Sequence, residues 1–146
     1  MRCKDAMVTM VFRCREDDPV QKVAQLMQEM RIGFIPVTDE SGGLVGVVTD
    51  RDLALRVLAE GKSPQTPVGW VMTRGPMFTC HPDDDLREVE RRMVEEQRKR
   101  AVVVANDRVV GVLSVVDVAV GEGAGRRTGK LMHELSRHES ISHLVT

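Results

Sequence analysis

The 146-residue sequence predicts an α/β fold: two β-α-β-β-α repeats packed on each other with internal pseudo-twofold symmetry. Three observations carry this. The sequence matches itself at an offset of 66 residues and, past one loop, of 65. Within each copy, short apolar runs alternate with segments of helical periodicity. A unit of ~60 residues buries a sheet poorly alone, whereas two sharing a core suit a chain near the ~150-residue domain scale.

The register is specific in residue type. Phe12 meets Phe78, Cys14 meets Cys80, Val20 meets Leu86, Val23 meets Val89, Met27 meets Met93, Glu29 meets Glu95 and Val37 meets Val103. The loop Asp39-Glu40-Ser41-Gly42-Gly43 is one residue longer than its counterpart near Asn106-Asp107-Arg108. Beyond it Val45 meets Val110, Gly46 meets Gly111, Val47 meets Val112, Thr49 meets Ser114 and Asp52 meets Asp117. Apolar matches alone arise by chance; a shared Phe, Cys, Gly, hydroxyl and Asp in one register do not.

In the first copy, Met10–Cys14 reads as a short strand. Asp17-Asp18-Pro19 then marks a helix start, with acids at the positive end and Pro in the first turn. Val20, Val23, Ala24, Met27 and Met30 follow at helical spacing. Ile32–Val37 and Leu44–Val48 are strands split by the Gly42-Gly43 turn, and a second helix runs from about Arg51 to Ala59 with Leu53, Leu55 and Leu58 available for packing. The second copy repeats the pattern. It has a strand at Met77–Cys80, acids at Asp83-Asp84-Asp85, a helix face of Leu86, Val89, Met93 and Val94, strands Ala101–Ala105 and Val109–Leu113, and a helix from about Val115. Repeat 1 therefore spans 1–62 and repeat 2 spans 68–121. The linker 63–67 lies in the turn-rich stretch Gly61–Pro67, and 122–146 forms a flexible segment followed by a helical tail carrying Leu131, Met132, Leu135, Ile141, Leu144 and Val145.

Composition excludes several functions. Lys plus Arg is 21 against 22 Asp plus Glu, so no standing positive field marks a nucleic-acid or membrane-surface binder. The rings are Phe12, Phe34, Phe78 and Trp70, too few for a base-stacking platform. Nine methionines help fill a core short of rings. Cys3, Cys14 and Cys80 imply no disulfide framework, and neither a leader-type apolar region nor a membrane-spanning run is present, so a reduced cytoplasmic protein is expected.

The chemistry-bearing motif is Gly46-Val47-Val48-Thr49-Asp50-Arg51-Asp52, echoed by Gly111-Val112-Leu113-Ser114-Val115-Val116-Asp117. Each is a strand entering a helix, with a hydroxyl at the junction and an Asp three residues later. That is a capping-box arrangement, with the hydroxyl at the N-cap and the acid at N3. The same geometry also suits a nucleotide. Free N–H groups at a helix start attract phosphate, the hydroxyl can bond a phosphate oxygen, and the carboxylate can accept ribose hydroxyls. Both readings stand on the residues alone.

The duplicated unit, the segment Ile32-Gly33-Phe34-Ile35-Pro36-Val37, the run from Gly43 to Leu53 and the second Gly-x-x-Ser-x-x-Asp together resemble a tandem cystathionine-β-synthase (CBS) domain pair, or Bateman module, over roughly residues 5–121. The likeness extends to stand-alone bacterial two-CBS proteins. It implies a non-catalytic sensor that binds AMP, ADP, ATP or S-adenosylmethionine in two inter-repeat clefts and signals to an unidentified protein partner. By this resemblance, Thr49 and Asp52 serve one cleft and Ser114 and Asp117 the other, with nucleotide contact favoured over pure capping. The base then sits near Ile35 and Pro36 in one cleft and Val102 and Val103 in the other, Val102 standing where the family often has Pro. Arg51 reaches toward phosphates where its counterpart Val116 cannot, which favours the first cleft if one alone is filled. Lys99 and Arg100 lie near the second cleft, although a solvated charged helix end is the favoured account of them. The resemblance further implies a homodimer paired through helices.

Other residues carry blander readings. Cys14 and Cys80 occupy equivalent strand positions and read as small buried apolar side chains. His133, His138 and His143 are spaced around a helix, Trp70 reads as a packing residue, and Asp83-Asp84-Asp85 as helix N-terminal charge. No metal site is assigned, since no segment has zinc-ligand spacing, although some stand-alone family members bind metal. No nucleophile elbow, catalytic triad or P-loop is visible, so no enzyme is expected and no cofactor beyond the regulatory nucleotide. The alternatives are a ligand-free interaction scaffold with its partner contact in the tail, and a metal-linked stress protein.

Overall fold

Helical and alternating apolar patterns condense into two units, and each is closed by a segment the periodicity does not mark. The computed structural model describes residues 1–121, and the tail expected over 122–146 lies outside them. One unit comprises Met10–Met77 with Asn106–Val109. The other comprises, among the described residues, Met1–Thr9, Phe78–Ala105 and Val110–Gly121. These contact units divide the chain differently from the sequence repeats, since the first nine residues belong with the second copy.

The chain opens with one helical turn, α1 (Cys3–Ala6), which the sequence reading missed. Helix α2 (Val20–Met30) follows Pro19, whose fixed φ suits a helix start. Its Val20, Val23 and Met27 stripe is buried, and Arg31 ends it in a left-handed conformation at φ 56°. The Asp18 carboxylate accepts from the Arg15 N–H (2.8 Å), so it ties the preceding turn. Strands β1 (Phe34–Thr38) and β2 (Leu44–Thr49) form an antiparallel hairpin with Phe34 opposite Thr49 and Ile35 opposite Val48.

The second helix differs from the expected single run over 51–59. It begins as α3 (Asp50–Leu53) and widens into a π-helical turn at Ala54–Leu58. Val57 is the residue buried there, while Leu55 and Leu58 are exposed, contrary to the packing role the sequence suggested for them. A 3₁₀ turn at Val68–Trp70 completes this unit.

The remaining elements are β3 (Thr79–Cys80), α4 (Leu86–Glu95), β4 (Arg100–Ala105), β5 (Arg108–Ser114, of which Arg108 and Val109 belong to the first unit) and α5 (Val115–Gly121), with sheet order β3-β4-β5. Asp85 caps α4 by accepting from the Arg87 N–H (2.8 Å). Asn106 and Asp107, both at positive φ, make the two-residue turn between β4 and β5. Leu86, Met93 and Leu113 are fully buried in this core, each contributing on the order of 1.5–3 kcal/mol of transfer free energy.

The expected strand at Met10–Cys14 does not form. Cys14 alone pairs, in a parallel bridge with Val37. Extending that ladder toward Phe12 needs a donor at Pro36, which has no N–H. The second copy has Val102 at the matching position, and its N–H does reach the Phe78 carbonyl (3.0 Å), so a short parallel strand forms at Thr79–Cys80. This Pro-for-Val difference thus accounts for a strand in one copy and its absence in the other.

Each unit is closed by the leading segment of the other copy. In one, Val47 and Thr73 exchange backbone hydrogen bonds (3.0 and 2.8 Å), and the Val68 N–H reaches the Asp18 carbonyl (2.9 Å). In the other, Val8 and Val112 do the same (2.9 and 3.0 Å), and the Cys3 N–H reaches the Asp84 carbonyl (3.0 Å). The approach explains a shared glycine. A Cβ on Gly46 would lie 2.7 Å from the Met72 sulfur and 2.9 Å from the Thr73 carbonyl oxygen; on Gly111 it would lie 2.8 Å from the Met7 sulfur and 3.1 Å from the Val8 oxygen.

Candidate functional site

The two strand–helix junctions form in full. At the first, Thr49 leaves β2 in an extended conformation and becomes the N-cap of α3. Its Oγ1 accepts from the Asp52 N–H (3.1 Å), and its own N–H donates to Asp52 Oδ2 (3.0 Å). At the second, Ser114 Oγ accepts from the Asp117 N–H (3.1 Å). The Ser114 N–H and hydroxyl both donate to Asp117 Oδ2 (2.7 Å each). The capping reading is therefore present at both junctions.

The carboxylates are divided between their two oxygens. Capping consumes Oδ2 of both Asp52 and Asp117. Oδ1 of Asp117 has no hydrogen-bond partner among the described residues, and Oδ1 of Asp52 has only the Arg56 guanidinium, 3.7 Å away. One acceptor oxygen per junction remains available, so capping and ligand contact do not compete for the same atom. The hydroxyls differ. Ser114 spends its proton on Asp117, whereas the Thr49 proton has no acceptor among the described residues.

The strand residues separate by face, because successive strand side chains point to opposite sides. Phe34 and Pro36 share the Thr49 face of the β1–β2 hairpin, while Ile35 lies on the other, fully buried in the core with Val37 and Val48. In the second copy, Ala101 and Val103 fill the core; Val102 is equally buried but lies outside that cluster. The sequence reading paired Ile35 with Pro36 and Val102 with Val103 beside one base. Alternation removes Ile35 and Val103 from that face and keeps Pro36 and Val102, which are equivalent in the repeat.

The flanking cations are also unequal. Arg51 is exposed and its guanidinium has no hydrogen-bond partner among the described residues; Val116, its counterpart, is exposed and apolar. The Lys99 carbonyl accepts from the Val115 N–H (3.0 Å), so Lys99 and Arg100 do adjoin the second junction, with Arg100 turned onto that same carbonyl (3.2 Å). Sequence reasoning missed Arg56. Besides facing Asp52, it donates to the carbonyls of Val71 (3.1 Å) and Met72 (3.2 Å), coupling the junction to the leading segment. Its i,i+4 spacing from Asp52 was the available signal.

Among the described residues, no three His, Cys, Asp or Glu side chains group to hold a metal, and no helix is long and apolar enough to cross a membrane.

Two copies of an α/β unit, each with a hydroxyl–Asp junction, define a class of protein, and comparison with known sequences agrees. The CBS domain family model matches residues 3–59 and again 68–120, and the chain belongs to this family. It is similar to the CBS domain-containing protein YhcV of Bacillus subtilis (34% identical over 138 residues; 94% of this chain, 96% of that one). It also resembles hypoxic response protein 1 of Mycobacterium tuberculosis (29% over 116 residues; 80% and 81%). Among solved structures, it is similar to hypoxic response protein I with two coordinated zinc ions (TM-score 0.74, 28% identical, 82% and 98% covered). A further likeness is to a CBS domain pair in complex with 5′-methylthioadenosine and S-adenosyl-L-methionine (TM-score 0.74, 27% identical, 84% and 100% covered).

Proposed function

We propose that the chain is a non-catalytic regulatory module that binds an adenosine-containing ligand at its two strand–helix junctions and passes the occupancy to a partner protein. The observation that carries this is the oxygen left over by each cap: Oδ1 of Asp52 and of Asp117 stands ready to accept ribose hydroxyls. The adenosyl ligands of the similar CBS domain pair support the ligand class. AMP, ADP, ATP and S-adenosylmethionine remain the candidates. Pro36 and Val102 lie on the base side, and Thr49, with its unspent proton and Arg51 nearby, makes the first junction the stronger site.

Calorimetry tests this directly. At least one of the four ligands, or 5′-methylthioadenosine, is expected to bind. Asp52→Ala is expected to weaken the tighter event and Asp117→Ala the looser one. Absence of binding by any of them at millimolar concentration, or unchanged binding in the double variant, overturns the assignment in favour of pure capping.

The exposed apolar side chains suit a homodimer. Leu58 (81% exposed) lines a groove of about 340 Å³ together with Val20, Ala24, Leu53 and Val57, and Leu55 on the same turn is exposed as well. A second copy covering this face predicts a dimer in sedimentation velocity that Leu58→Glu converts to monomer.

A further inference from the structure

We propose that the unit built from Met10–Met77 carries a second ligand site, separate from the strand–helix junctions, that takes a small phosphate-type oxyanion. The site is a cleft of about 630 Å³ between the Cys14 segment, the start of α2 and the Asp39–Gly42 turn, with Arg108 and Val109 on one side.

Its charged groups divide into those already engaged and those left over. Arg13 donates to the Val109 carbonyl (2.6 Å), Lys22 is paired with Asp18 (3.1 Å), and Asp39 Oδ1 is held by the Ser41 and Gly43 N–H groups (2.9 Å each). Two guanidinium groups, Arg15 and Arg108, line the same cleft without a hydrogen bond or close ion pair among the described residues, Arg15 acting only at longer range on the Asp18 and Asp39 carboxylates. Planar guanidinium forks match the oxygens of a phosphate.

An independent observation comes from Thr38. It is only 3% exposed, yet its hydroxyl has no hydrogen-bond partner, and it is not among the fully enclosed polar atoms, so Oγ1 keeps its remaining access. Thr38 lines this cleft. An accessible hydroxyl with no protein partner, set beside two guanidinium groups, makes a donor set that an oxyanion can accept from.

The duplication supplies a comparison. At the register of the first copy, the second has Thr79 for Arg13, His81 for Arg15, Glu88 for Lys22 and Val104 for Thr38, while Asp84 matches Asp18. The carboxylate that ties the turn is present in both copies; the basic groups and the buried hydroxyl are not. They are therefore dispensable to the fold of the unit and specific to the first copy. Asp18, Asp39 and Glu40 are the opposing charges of the cleft and set an upper limit on anion affinity; of the three, Glu40 has no partner among the described residues.

The test is a ¹H–¹⁵N correlation titration of the full chain with inorganic phosphate, AMP and adenosine in parallel. Saturable shifts of the Thr38, Ser41 and Gly42 amides with phosphate, and with AMP, are expected; a response to AMP alone assigns the oxyanion to a nucleotide phosphate. Arg15→Ala with Arg108→Ala should lower the affinity read there by about tenfold or more, as loss of charge-assisted bonds does. Thr38→Val, which installs the residue the second copy carries and so preserves the fold, should weaken it several-fold, and Glu40→Gln should tighten it. Shifts caused by adenosine alone, shifts unaltered in the double variant, or no saturable response to phosphate or AMP would each overturn the proposal. Adenosyl binding at the junctions is read separately, from the amides of 49–52 and 114–117, so the two readings fail independently.

Discussion

Placing a methyl group on Gly46 tests how the leading segment closes its unit. The new Cβ would lie 2.7 Å from the Met72 sulfur and 2.9 Å from the Thr73 carbonyl oxygen. The sulfur belongs to a flexible side chain and can swing away. The carbonyl cannot, because Thr73 and Val47 are tied by two backbone hydrogen bonds. Relief requires giving up that bridge, at roughly 1 kcal/mol per bond, or overpacking around Met72, at about 1–3 kcal/mol. Gly46→Ala is therefore expected to cost about 2–4 kcal/mol, read by urea unfolding and as a Tm fall of about 2–4 °C for each kcal/mol. Gly111→Ala should cost less, since its carbonyl neighbour, Val8, is 3.1 Å away. Gly61→Ala is the control: its φ is +66° with nothing within 4 Å, so it incurs only left-handed backbone strain of about 1–2 kcal/mol. A Gly46→Ala penalty under about 0.5 kcal/mol, the range of an inert surface change, would refute the close approach.

Burial raises the Cys3 thiol, pushes Cys14 up to about 12 and raises Cys80 as well, so all three are protonated and enclosed near neutral pH. A thiol reagent should label none of them at pH 8 until denaturant is added, and rapid native labelling would contradict their placement. Acid should destabilise the fold. Burial alone would raise Asp18, but the Arg15 N–H and Lys22 outweigh it, and Asp83 is lowered by Lys4 and then Arg2. Folding favours the ionised form of both groups, so their contribution is present above the ordinary carboxylate range near ~4 and is lost as pH falls through their lowered values. Asp18→Asn should flatten the stability–pH curve below that range, and a curve as steep as the parent's would exclude Asp18 from it. Thr49→Ala and Ser114→Ala should each lower stability by ~1 kcal/mol through loss of the cap, measured by urea unfolding; no change in either would remove capping from that junction.

Elements whose signal is local were legible from the sequence. The helices Val20–Met30 and Leu86–Glu95 carry their buried stripe in their own spacing, and both hairpins carry it in alternation and turn residues. Features that depend on a distant backbone group were not. Whether Met10–Cys14 forms a strand is decided by the missing N–H of Pro36, and α1 is held by the carbonyls of Pro82 and Asp84. The register does carry a trace of the closing segments, because Cys3, Met7 and Val8 stand 65 residues before Val68, Met72 and Thr73. The junctions were legible as hydroxyl–Asp pairs. The strand period also bore on the base wall, because Ile35 and Pro36 cannot both face Thr49.

The two junctions are the same motif with different chemistry left over, and the difference traces to single atoms. Ser114 closes its cap with three hydrogen bonds to Asp117, including its own proton, which leaves the second carboxylate oxygen unspent but not the hydroxyl. Thr49 closes its cap with two, keeps its proton, and has Arg51 beside it and Arg56 across from Asp52. At the second junction the cap hydroxyl can no longer donate to a ligand, whereas at the first the Thr49 hydroxyl can. Arg56 further ties Asp52 to the carbonyls of Val71 and Met72, so any ligand that draws Asp52 Oδ1 away from the guanidinium alters a contact to the leading segment. A ligand shifts an equilibrium only through a contact that differs between states. In the first junction that contact is the Asp52–Arg56 pair, and in the second the matching position is Gly121, which has no side chain to supply one.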